Sequence, residues 1–129
     1  MRIILADTNA SGTETARLLL DDVPSPIRLR DLICHRVREE VARYNAHPVP
    51  RFNGLVQPTD AERTLNGYVL RVPRALDWRA QADAAVRAFG RNGFFVFAGD
   101  RQVEDLDEEL TLAEADVVSF VRLVPLAGG

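Results

Sequence analysis

Between Ile27 and Tyr44 the apolar residues change their spacing, and this change constrains the fold more than any other feature of the chain. Leu29, Ile33, Val37, Val41 and Tyr44 recur every three or four residues, with Leu32 beside them, while Arg30, Asp31, Arg36, Arg38, Glu39 and Arg43 fill the positions between. That spacing puts one apolar stripe along a helix and predicts the charged residues on its outer face. Upstream the period is two. Arg2 to Asp7 is a short apolar run, Thr8 to Thr13 is a polar turn, and Ala16, Leu18 and Leu20 then alternate with Arg17 and Leu19. These two runs predict a β-hairpin. Asp22-Val23-Pro24-Ser25-Pro26 breaks the chain before the helix, with Ser25 expected as its cap and Pro26 in its first turn. An amphipathic helix that follows a hairpin packs on a sheet, so the class is α+β.

The last third supplies that sheet. Phe94-Phe95-Val96-Phe97 reads as a buried strand, Ala98-Gly99-Asp100-Arg101 as its turn, and Gln102-Val103 as the return. Glu104 to Glu109 holds five carboxylates in an acidic surface connection, Leu110-Thr111-Leu112 is a short edge piece, and Val117 to Val124 is the final strand. Residues 46–93 stand between the helix and these strands as an insertion within a single domain, 1–129. Pro48, Pro50 and Pro58 interrupt it, and Thr59-Asp60-Ala61-Glu62 has the spacing of a capping box, which predicts a short helix. Asn66-Gly67 reads as a turn and Tyr68 to Val72 as a strand. Asp77 is placed to cap a second helix, Trp78 to Arg91, with Trp78, Ala82, Ala85, Val86 and Phe89 on one stripe and Asn92-Gly93 closing it.

Charge and composition then narrow the function. The net charge is −3 with no block of basic residues, so nucleic acid is not an expected partner. No apolar run approaches the length of a membrane span, and the N-terminal residues turn polar too early for a signal peptide, which points to the cytoplasm. Cys34 is the single cysteine and reads as a half-buried structural thiol. His35 and His47 are too few and too far apart for a metal site, and no acid, base and nucleophile converge, so neither a catalytic residue nor a bound cofactor is expected. All 16 basic residues are arginine. A GC-rich genome accounts for this, and so does selection against side-chain amines in a protein handled by amine-ligating machinery, because arginine does not become a nucleophile.

The chain closes on Leu123-Val124-Pro125-Leu126-Ala127-Gly128-Gly129. Chance gives roughly 0.5% for a terminal glycine pair at average usage. Without Cβ atoms, Gly128 and Gly129 can enter a narrow channel and present an unhindered carboxylate. The last residues, 125–129, are expected to be a flexible tail.

The strand and helix order together with this tail resembles the β-grasp fold of ubiquitin and its relatives, which implies one mixed sheet around the first helix with a helix-containing insertion. Met1-Arg2-Ile3 opens the first strand as in ubiquitin, and Pro24-Ser25 precedes the helix. Val96-Phe97-Ala98-Gly99-Asp100-Arg101-Gln102-Val103-Glu104-Asp105 resembles ubiquitin's Ile-Phe-Ala-Gly-Lys-Gln-Leu-Glu-Asp with one residue added. The resemblance covers residues 1–45 and 94–129. The Pro-containing tail is also similar to that of the bacterial sulfur carriers, and the Val-Pro stretch to β-grasp domains of phage tail-assembly proteins. These resemblances imply a non-enzymatic protein modifier of bacterial type. A partner enzyme would use ATP to adenylate Gly129 for conjugation to target proteins. Gly128 and Gly129 would enter the activating enzyme, Leu123, Val124, Pro125, Leu126 and Ala127 would guide them, and Phe95, Val121 and Leu123 would dock it. The alternatives are a sulfur carrier that bears a thiocarboxylate for a sulfur-accepting enzyme, and a non-covalent β-grasp scaffold.

Overall fold

The computed structural model describes residues 1–64, 67–72 and 74–123. Its contacts divide the chain into two compact units, one of Met1–Leu32 with Ala88–Gly129 and one of Ile33–Arg87.

The first unit is built on a five-stranded mixed sheet. Strands β1 (Ile3–Thr8) and β2 (Glu14–Leu20) form the expected hairpin, with Ile3 opposite Leu20 and Asp7 opposite Ala16. After β3 (Ile27–Arg28) comes helix α1 (Leu29–Ala46), then β4 (Ala61–Thr64), β5 (Gly67–Leu70) and helix α2 (Trp78–Gly90). The chain finishes with β6 (Phe94–Ala98), β7 (Arg101–Val103), β8 (Glu109–Leu110) and β9 (Val117–Arg122). In the sheet the order is β2-β1-β9-β6-β7, with β1 and β9 central and parallel and the other pairs antiparallel. The fold is therefore α+β and β-grasp-like. Ile3, Leu5, Leu20, Phe94, Val96, Val118 and Phe120 turn inward and are buried. Phe89, Phe94 and Phe120 continue this core as a chain of tilted rings with centroids 5.8 and 5.9 Å apart.

The expected all-buried strand at Phe94 is instead alternating. Phe94 and Val96 are buried, while Phe95 and Phe97 are half-buried on the opposite face. Gly99, with φ +61°, turns β6 into β7 through two residues, because Ala98 pairs directly with Arg101.

Helix α1 starts two residues later than the sequence suggested, and Ser25 does not cap it. The Ser25–Pro26 peptide is cis, and Ser25 Oγ accepts the Leu112 N–H at 2.9 Å. The orphan N–H groups of the first turn go elsewhere: Leu29 donates to the Glu108 carbonyl and Arg30 to the Leu106 carbonyl. The acidic connection is thus a backbone cap, held further by the β3–β8 pairing of Ile27 with Leu110 and Arg28 with Glu109. Its carboxylates also suit the positive end of the helix. Asp107 sits 3.5 Å from Arg30, and Glu108 pairs with Arg101.

Both ends of α2 follow the sequence closely. Asp77 Oδ1 accepts the Arg79 N–H at 3.0 Å. Asn92 takes the left-handed conformation, φ +58°, while Asn92 donates to the Phe89 carbonyl and Gly93 to the Ala88 carbonyl.

The second unit departs most from expectation. The capping-box pattern at Thr59 does not open a helix. Asp60 adopts φ +62° and leads into β4, which pairs with β5 from Ala61–Leu70 to Thr64–Gly67. Phe52 adds a bridge to Tyr68, exchanging backbone bonds of 2.8 and 2.7 Å. Asn66 of the expected Asn66-Gly67 turn lies outside the described residues. Arg36, placed on the outer helix face by its charge, is buried instead. Its side chain is 2% exposed and lies 3.3 Å from Glu40, itself 8% exposed, and Glu40 also accepts the Leu55 N–H at 3.2 Å.

Candidate functional site

Strand β9 is the element that would present a C-terminal tail. It is held on both sides, by β1 in parallel register from Ile4–Val117 to Thr8–Val121 and by β6 in antiparallel register from Phe94–Arg122 to Ala98–Val118. A strand flanked on both sides donates and accepts throughout its length, so its last residues are set by ten cross-strand pairs rather than by one edge.

Its two faces differ. On the inner face, Val118 and Phe120 are buried, and Arg122 follows them to reach Asp7 at 3.6 Å. Asp7 belongs to the same inward series as Ile3 and Leu5 and is buried. This ion pair closes the inner face where β9 ends. Sequence reading missed it, although a carboxylate in phase with two core residues is a sign that an inward partner is needed.

On the outer face, Val121 stands directly opposite Phe95 on one side and Thr8 on the other. Both Phe95 and Val121 are half-buried. Leu123, just beyond the strand, is 38% exposed. The structure therefore brings together Phe95 and Val121 of the expected docking surface, with Leu123 next in phase. At the far end of β9, Val117 is also 38% exposed and pairs with Ile4, which pairs in turn with Leu19 at 47% exposed. That row of β2, β1 and β9 was not singled out from the sequence. The tail residues Val124, Pro125, Leu126, Ala127, Gly128 and Gly129 lie outside the described residues.

Cys34 and His35 on α1 are half-buried and His47 is exposed. Among the described residues no three His, Cys, Asp or Glu side chains converge as metal ligands. No helix among them is long and apolar enough to cross a membrane. Comparison with protein-family models, with curated proteins and with solved structures found no match.

Proposed function

We propose that this chain is a ubiquitin-like modifier that acts through the carboxylate of Gly129. The observation that supports this reading most is the strand order β2-β1-β9-β6-β7 with β9 parallel to β1. In that order the strand leading into Leu123-Val124-Pro125-Leu126-Ala127-Gly128-Gly129 is central to the sheet, so pulling on the tail loads paired strands rather than peeling an edge.

The chemistry belongs to a partner. A carboxylate oxygen of Gly129 attacks the α-phosphorus of ATP and expels pyrophosphate. A cysteine thiolate of the partner then displaces AMP from the acyl-adenylate, and an amine of the target displaces the thiolate to form an amide. Phe95, Val121 and Leu123 offer apolar surface for docking that partner. The setting is the cytoplasm, where ATP and reduced thiols coexist. In the sulfur-carrier variant, a persulfide of the partner attacks the acyl-adenylate and expels AMP, and a second thiolate of the partner then cleaves the resulting acyl disulfide, which leaves a thiocarboxylate on Gly129 and a disulfide on the partner. In the scaffold reading the terminus stays a plain carboxylate.

Intact-mass spectrometry and blotting of the protein from its native cells, wild type against a Gly128–Gly129 deletion, tests the proposal. Higher-mass conjugates that vanish with the deletion are expected. A thiocarboxylate mass without conjugates moves the assignment to sulfur transfer, and a plain carboxylate in every fraction overturns both.

A further inference from the structure

Charge is divided unevenly along this chain. Residues 33–87 hold nine arginines against six carboxylates, a net of +3, while the remaining residues hold seven against thirteen, a net of −6. A chain whose total is only −3 hides this division.

Within the positive unit, two of the arginines are organised around one ring. The guanidinium carbon of Arg38, on α1, lies 5.2 Å from the Trp78 ring centroid, and that of Arg79, on α2, lies 5.4 Å from it. Their separation therefore cannot exceed the sum of those distances. Both arginines are exposed and Trp78 is half-buried. Among the described residues neither has an ion-pair partner, although Arg71 pairs with Glu62 and Arg36 with Glu40 in the same unit. The carboxylate of Asp77 is engaged with the Arg79 N–H.

A guanidinium stacked on an aromatic face keeps its in-plane N–H donors free at its edge. Those donors match a carboxylate bidentately, and stacking has already removed part of the side-chain freedom that binding would otherwise cost. We propose that Arg38, Trp78 and Arg79 form a docking site for an acidic segment of a partner protein, one carboxylate to each guanidinium. A short acidic segment suits the charge distribution better than nucleic acid does. Two guanidiniums in a unit of net +3 match two carboxylates, whereas a nucleic acid calls for a longer basic stripe than this.

Trp78 is the only tryptophan, so its fluorescence reports the site directly. The full chain is titrated with a hexaglutamate peptide and separately with a single-stranded DNA oligonucleotide of equal charge. A saturable change with the peptide that weakens as salt is raised is expected. Arg38→Gln with Arg79→Gln should weaken it by about tenfold or more. The pair Arg63→Gln with Arg87→Gln removes the same charge from exposed positions elsewhere in the unit and should weaken it far less. Far-UV circular dichroism of both double variants shows that they fold. No saturable change, equal losses in the two double variants, or binding of DNA in preference to the peptide each overturns the proposal.

Discussion

Arg36 shows how far one residue can depart from its sequence pattern. It lies one turn from Leu32 and Ile33 and beside Val37, so its backbone position faces inward despite its charge. Glu40, one turn on, makes that position tolerable and also accepts the Leu55 N–H. Replacing Glu40 by alanine removes both interactions from a buried site and should cost about 3 kcal/mol in denaturant unfolding. Glu40→Gln retains an acceptor for Leu55 and should lose less. A Glu40→Ala variant within about 1 kcal/mol of wild type would show that the pair adds little over apolar packing. Two glycines make a second contrast. Gly90 ends α2 with open space around its missing Cβ and no positive φ, whereas Gly99 has the same space but φ +61°. Gly90→Ala should stabilise by a few tenths of a kcal/mol through helix propensity and reduced unfolded-state freedom. Gly99→Ala should destabilise by about 1 kcal/mol, because an alanine in left-handed backbone is strained whatever the space. Equal midpoints for the two variants would contradict this.

Among the elements, those with strong periodicity were legible in the sequence. β1, β2, α1, α2, β6 and β9 each carry enough in-phase apolar residues to announce themselves. β4 does not. Its Ala-Glu-Arg-Thr has no alternation, and Thr59 and Glu62 happen to stand at capping-box spacing, so a local rule pointed to a helix where pairing with β5 and the Phe52 bridge decide the outcome. The Asp7–Arg122 and Arg38–Trp78 contacts escaped for a similar reason, since each joins residues far apart in sequence and has no local signature. The same nonlocal character marks Asn45. Near the end of α1 its side-chain amide donates to the Leu76 carbonyl and accepts the Leu76 N–H, both at 2.9 Å, as a neighbouring strand would. Asn45→Ala strands both backbone groups of a buried residue and should cost about 2 kcal/mol. Asn45→Asp keeps the acceptor alone and should fall between. If Asn45→Ala melts with wild type, the clasp is not stabilising, and urea midpoints of the three proteins decide it.

At the scale of the whole molecule, the boundaries between the two units do not fall in linkers. One lies between Leu32 and Ile33, inside α1, and the other between Arg87 and Ala88, inside α2. Units separated by exposed, flexible segments can open independently, because few hydrogen bonds cross the division. Here each division falls within a helix, and a helix interrupted in mid-length must renucleate each half at a cost. Opening one unit alone would require α1 and α2 to fray from the boundary outward. Thermal unfolding should therefore be a single transition, although one unit carries the five-stranded sheet and the other the only tryptophan. Trp78 fluorescence follows residues 33–87, and amide exchange of β1, β6 and β9 follows the sheet. Coincident midpoints by the two probes are the expected result. A Trp78 transition several degrees below the loss of sheet protection would mean that the helices break at the boundary and that the two units are separate folding domains.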